Sequence, residues 1–280
     1  MEDKFPQSES QPNGNVADAR SESAGAGGSQ CKTVSMPYEI DEVARTALVT
    51  GVGGYIGSEV AAALRKRGFD VWGIDRTQPA GAVWRGRFIE ANLGHGDSIP
   101  SFEVPVAALD CVIHVAGGAL AREVLQEHFR SELDLIDETF RDNFLSAVDV
   151  IEATRGALRQ GGSILLTSSI NALGSYGLPI YSASKAALHG FTKGLAPELA
   201  AAGIRLNVAV LGTVDHPGVR KLHEADPGHF ERLQRSIPGG RLLNAPEVAE
   251  QLVRMSSNED LRGEIIVIDN GQLAGGANSD

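Results

Sequence analysis

From Arg45 onward, short apolar runs alternate with longer stretches of helical periodicity. TALVT (46–50), FDVWGID (69–75), GRFIEANL (86–93), LDCVIHVAG (109–117), GGSILLTSS (161–169), IRLNVAVLG (204–212) and EIIVID (264–269) read as strands. Their near-continuous apolar character is that of strands buried on both faces. IGSEVAAALRKR reads as a helix, and the acidic and apolar periodicity from about Arg122 to Leu158 is long enough for two more. A further helix runs from about Tyr181 to Ala201, and PEVAEQLVRMSS (246–257) opens with proline in its first turn, where proline is tolerated. Strands separated by helix-length segments predict an α/β, doubly wound (Rossmann) parallel sheet of about seven strands, with helices on both faces.

Residues 1–44 break the pattern. They are rich in Ser, Gly, Gln and Asn and poor in aliphatic side chains, a composition that does not offset the entropy of ordering. The expected organisation is a disordered tail over 1–44, followed by a single domain over 45–280. The formal net charge of −11 argues against nucleic acid as a partner. The two cysteines, Cys31 and Cys111, make neither a disulfide framework nor a metal spacing. No secretory leader and no apolar run of membrane-spanning length is visible, which leads to the expectation of a cytoplasmic protein without a membrane partner.

The first strand leads into GVGGYIG (51–57) and then a helix. Glycines at 51, 54 and 57 let the backbone turn tightly against a pyrophosphate, and the helix N-terminus offers free N–H groups to the anion. Tyr55 and Ile56 lie within the same turn. Asp75, ending the second strand, is suited to the ribose hydroxyls of a dinucleotide and repels a 2′-phosphate, so NAD is favoured over NADP. Arg76 either softens that preference by holding a phosphate or points to solvent. Asn92, after the third strand, is an adenine neighbour or a simple turn residue.

YSASK (181–185) sets Tyr181 and Lys185 four apart, on one face of a helix at its first turns. A tyrosine of ordinary pKa, about 10, is a poor base. A neighbouring ammonium, the positive end of the helix dipole and an added cationic nicotinamide all favour the phenolate, making Tyr181 a general acid/base for an alcohol–carbonyl pair. TSS (167–169) ends the preceding strand, where a serine can hydrogen-bond the substrate oxygen. Ser169 aligns best with the strand end, whereas Ser168 has the commoner spacing to Tyr181.

Taken together, TGVGGYIG, Asp75, HVAGG, DNF, TSS with YSASK, IRLNVAVLG, SIPGGRLLNAPEVAEQLV and GEIIVIDNG resemble the short-chain dehydrogenases/reductases over about residues 45–275. The resemblance implies a catalytic set of Asn143, Ser169, Tyr181 and Lys185, with Asn143 holding a water that relays protons to Lys185, and Lys185 binding the nicotinamide ribose. Cofactor contacts are then expected from Gly51, Gly54, Tyr55, Ile56, Gly57, Asp75, Arg76, Asn92, Leu93, Ala116, Gly117, Tyr181, Lys185, Gly212 and Val214. Packing through the two long helices, as a homodimer or homotetramer, is also implied.

The chain departs from the family pattern in places. Tyr55 stands where a middle glycine is usual, HVAG replaces N-N-A-G, and LGTVDH replaces P-G-x-x-x-T, so that Thr213 or His216 takes over the carboxamide contact. His114 reads as a structural histidine. A substrate lid is expected at about 213–240, with Pro217, Pro227 and Gly228. Arg220, Lys221, Arg232 and Arg235 there either attract an anionic substrate or are solvated. His216, His223 and His229 share no helical face, and no metal site is expected. The reading is an NAD(P)-dependent oxidoreductase interconverting a secondary alcohol and a ketone by hydride transfer. The alternatives are an NAD-dependent sugar-nucleotide epimerase or dehydratase, suggested by the first-turn spacing, and a non-catalytic NAD-binding regulator.

Overall fold

The computed structural model describes residues 45–124, 130, 132–174, 177–224, 226 and 228–275. The expectations for the tail over 1–44, for Cys31 and for Pro227 fall outside them. Seven strands form one parallel sheet: β1 (Thr46–Thr50), β2 (Asp70–Asp75), β3 (Phe88–Glu90), β4 (Leu109–His114), β5 (Leu158–Ser169), β6 (Arg205–Leu211) and, last in the chain, a strand over Ile265–Ile268. Their spatial order is β3-β2-β1-β4-β5-β6 and then that last strand. The order reverses between β1 and β4, which pair through Ala47↔Cys111 and Val49↔Ile113. Doubly wound sheets open a ligand crevice at such a reversal, outside the carboxyl ends of the strands.

Helices cover both faces. α1 (Tyr55–Lys66) packs one face with Val60, Ala61 and Leu64, together with a helix over Ala245–Ser257. The latter begins where Asn244 accepts a hydrogen bond from Glu247 N at 2.9 Å, a side-chain cap followed by proline in the first turn. The other face is sealed by the segment from Leu133 to Thr154 and by a helix over Pro179–Ala201, whose buried Leu188 and Leu199 meet Ile164, Leu166 and Val208 of the sheet. β6 is buried at every position, which is why its sequence runs as RLNVAVL without alternation.

The region from Arg122 to Leu158 differs from two plain helices. After a four-residue helix α2 (Ala121–Val124), α3 (Leu133–Phe140) and α4 (Ser146–Thr154) are joined by a π-helical turn over Arg141–Leu145. Asn143 sits inside this widened turn. The helix α5 (Pro179–Ala201) starts two residues earlier than expected. After β6 come β7 (Val214–Asp215), α6 (Pro217–Leu222), α7 (His229–Ser236) and β8 (Leu243–Asn244), with β7 and β8 paired in a small parallel sheet of their own. α8 (Ala245–Ser257), β9 (Ile265–Ile268) and α9 (Gln272–Gly275) complete the domain.

Candidate active site

A cleft of about 830 Å³ lies over the carboxyl ends of β4, β5 and β6, with Ile56, Ser169, Tyr181, Lys185, Gly212 and Val214 on its walls. Ile56 is the residue of the glycine turn that reaches it. Gly51 has φ +70°, and a Cβ on Gly57 would stand 2.1 Å from Gly51 O, so the helix start can approach the turn only with glycine there. Gly54 is the N-cap of α1 but supplies no side chain, and no acidic residue occupies the first turn. The first N–H groups of α1, at Tyr55, Ile56 and Gly57, are thus offered outward to an anion.

Beside the turn, Asp75 Oδ2 accepts from Gly53 N at 2.8 Å and Oδ1 from Arg76 N at 2.7 Å, which holds the carboxylate over the turn. The Arg76 side chain is exposed. Asn92 and buried Leu93 follow β3. Uncapped N–H groups, a cradle that a Cβ would fill and a fixed ribose acceptor fit a dinucleotide.

Ala116 and Gly117 follow β4. The backbone there is tied to β1 by Thr50, whose Oγ1 accepts from Val115 N at 3.0 Å and Ala116 N at 3.1 Å. Thr50 also meets His114 Nδ1 at 2.9 Å, while His114 Nε2 lies 3.3 Å from Ser146 Oγ. Burial, with Lys185 nearby, pushes His114 down to about 3, a neutral ring that cross-links three elements. Asn143 has a similar bracing role: its Oδ1 accepts from Gly118 N at 2.9 Å, and its Nδ2 donates to Gly118 O at 3.0 Å and Thr139 O at 2.9 Å. The side chain is fully buried, and these partners account for its oxygen and both amide hydrogens.

Ser169, Tyr181 and Lys185 line the same cleft. Lys185 is 3 % exposed, and its Nζ donates to Thr167 O at 3.1 Å. Burial brings its pKa down to about 8. The same Nζ lies 5.9 Å from the centre of the Tyr181 ring, so both groups share the crevice. Ser168 and Ser169 part company: Ser168 Oγ turns to His189 Nε2 at 2.9 Å and Lys185 O at 3.3 Å, whereas Ser169 Oγ contacts Asn171 Oδ1 at 3.0 Å and faces the phenol.

The protein surroundings alone do not acidify the phenol. Burial pushes Tyr181 up to about 12; the Ser169 hydroxyl opposes this, and Glu123 adds to it. The positive helix end invoked for Tyr181 is not open. Leu178, the N-cap of α5, has no capping side chain, and Glu123 fills the place from α2. Glu123 is 3 % exposed; its Oε1 accepts from Ile180 N at 2.8 Å and its Oε2 from Tyr181 N at 3.2 Å. Sequence reading missed this residue. Its one signal was the missing cap: the segment Gly177-Leu178 before Pro179 holds no Ser, Thr, Asp or Asn.

The segment after β6 adds contacts that the sequence did not show. His223 and His229 stack with ring centres 3.8 Å apart and planes 5° apart, although no single helix face joins them. His216 stays separate, stacking on Tyr55 at 4.8 Å while its Nδ1 accepts from Val219 N at 3.2 Å. Arg220, Arg232 and Arg235 pair with Asp215, Asp226 and Glu231 in exposed ion pairs. Thr213 N donates to Gln272 Oε1 at 2.8 Å, a second contact absent from the sequence reading.

Residues 51–272 match the family model described as enoyl-(acyl carrier protein) reductase. An uncharacterized oxidoreductase of Schizosaccharomyces pombe is 31 % identical over 242 residues, covering 82 % of this chain and 92 % of the relative. The 3-oxoacyl-[acyl-carrier-protein] reductase FabG of Escherichia coli is 28 % identical, with 81 % and 96 % covered. The crystal structure of a short chain dehydrogenase family protein from Francisella tularensis superposes with a TM-score of 0.71 at 25 % identity, covering 82 % of this chain and 99 % of that one.

Proposed function

Because the chain belongs to the short-chain dehydrogenase/reductase family and is an NAD(P)-dependent oxidoreductase, we propose that it interconverts a secondary alcohol and a ketone with Tyr181 as the proton-exchanging group. The observation that carries this reading is the meeting of Ser169, Tyr181 and Lys185 in the cleft that Ile56 of the glycine turn also lines. The bound nicotinamide supplies or accepts the hydride. The chain's own residues do the rest. Ser169 orients the substrate oxygen. Tyr181 donates a proton to that oxygen in reduction and takes it back in oxidation. Lys185, a buried cation that donates to the Thr167 carbonyl, grips the ribose and adds the positive charge that opposes the burial of a phenolate. The backbone carbonyl of Asn143 holds the water that connects Lys185 to solvent.

Asp75 supports NAD as the preferred cofactor, since a carboxylate at that place repels a 2′-phosphate. The apolar walls, with Val124, Ile170, Leu178, Val219, Phe230 and Leu233, suit a ketone borne on a hydrocarbon chain or ring. A 3-oxoacyl thioester is one such substrate, and the reductase relatives favour it. A homodimer or homotetramer, a cytoplasmic location and a separate tail over 1–44 belong to the same reading. Screening ketones and 3-oxoacyl thioesters against NADH and NADPH by absorbance tests it: turnover of a ketone is expected. Tight dinucleotide binding with no turnover across the whole screen would favour the non-catalytic alternative.

A further inference from the structure

Glu123 is a buried carboxylate that the reaction above does not use. It arrives from α2, 57 residues before its partners, and takes the backbone N–H groups of Ile180 and Tyr181 at the start of α5. A helix N-terminus ordinarily carries about half a positive charge, which would stabilise a phenolate in its first turn. Here a carboxylate caps that terminus, on the backbone N–H of Tyr181 itself, and lines the same cleft as the phenol. The two effects oppose each other at Tyr181, and the carboxylate is the larger charge.

The other groups around the phenol are few. Lys185 lies one turn further along α5 and Ser169 faces it from β5. His216, His223 and His229 line the cleft from the lid. Among the described residues lining the cleft, Glu123 is the one acidic side chain.

We propose, resting on the assignment of Tyr181 as the proton-exchanging group, that Glu123 is a positioning residue that caps α5 and holds Tyr181 in its protonated form, setting the enzyme for carbonyl reduction at neutral pH. Reduction starts from the phenol, whose O–H bond breaks as the carbonyl oxygen takes the proton. Oxidation starts from the phenolate, which must accept the proton of the alcohol. A carboxylate that disfavours the phenolate leaves reduction active to alkaline pH and confines oxidation to the alkaline range. The direction of the equilibrium is untouched; what Glu123 sets is the pH at which each direction runs.

The test is an ultraviolet tyrosinate titration of the full chain, with Tyr181→Phe subtracted to isolate the one phenol. In the wild-type chain Tyr181 should titrate above the ordinary tyrosine value of about 10. In Glu123→Gln, which keeps the size and one hydrogen-bond acceptor, the titration should fall by about one unit. The acid limb of the oxidation rate should move down with it, while NADH affinity stays within about twofold, since the cofactor turn lies elsewhere in the cleft. Glu123→Asp should restore the wild-type profile in large part. A Tyr181 titration at or below the ordinary value in the wild-type chain would overturn the proposal even if the glutamine variant does not fold. So would a folded glutamine variant with an unmoved titration. Neither result depends on turnover, so each is separable from a failure of the catalytic role of Tyr181, which would show as activity retained in Tyr181→Phe.

Discussion

Replacing Asp75 by serine tests how the chain chooses its cofactor. The carboxylate is held over the glycine turn by Gly53 N at 2.8 Å, so a 2′-phosphate on the adjacent ribose would meet a fixed negative charge. At about 5 Å and an effective dielectric of about 40, the repulsion is about 1.7 kcal/mol per unit charge. A phosphate monoester carrying about 1.5 to 2 charges is then penalised by about 3 kcal/mol, or roughly a hundredfold in affinity. Serine removes that penalty while keeping a short acceptor for Gly53 N. It also removes a charged acceptor from the ribose hydroxyls, at a cost of about 1.5–3 kcal/mol for NADH. Fluorescence titration should show NADPH binding about a hundredfold tighter and NADH about tenfold or more weaker than in the wild-type chain. An unchanged ratio of the two dissociation constants would refute the reasoning, because it would mean that neither ribose approaches this carboxylate.

Gly57→Ala should fold yet lose NADH binding by roughly a hundredfold or more, because its Cβ would stand 2.1 Å from Gly51 O and force the turn open, an overpacking cost of about 2–3 kcal/mol or above; circular dichroism and NADH fluorescence separate the two effects, and wild-type affinity would contradict the close approach. Lys185→Met should abolish turnover while raising the melting temperature near neutral pH. The pKa of Lys185 falls from 10.5 to about 8 on folding, so the unfolded chain binds the extra proton and stability rises with pH between those values. The cost of burying the charge, about 3 kcal/mol, is complete below about pH 8 and gone above about 10.5. The stabilisation by methionine, read from melting temperatures across that window, should therefore shrink as pH rises; a gain that is independent of pH would contradict a desolvated cation.

Much of this architecture is legible in the chain because parallel strands buried on both faces must be apolar throughout, as in RLNVAVL of β6. The glycine turn was legible because a strand, three spaced glycines and a helix follow one another locally. Tyr181 and Lys185 were legible because four residues of helix bring them together whatever surrounds them. What stayed hidden depends on contacts between distant segments. Glu123 is one acidic residue in an acidic stretch until the fold places it at the start of α5. His223 and His229 meet across a break between two short helices, where helical periodicity does not apply. Arg220 and Arg232 read as free or solvated cations because their partner acids, Asp215 and Asp226, lie at no helical spacing from them, whereas Glu231 stands one turn before Arg235, a pairing the spacing alone offered. Asn143 stood out through the family resemblance alone, and the π-turn that lets it reach Gly118 has no local sequence signature.

The central claim is that the phenol of Tyr181 moves the proton, and Tyr181→Phe examines it with the loss of one oxygen atom. Steady-state turnover of an accepted ketone, measured beside NADH affinity, should fall by about two to four orders of magnitude while binding stays within a few-fold of wild type. Turnover comparable to that of the wild-type chain would contradict the account.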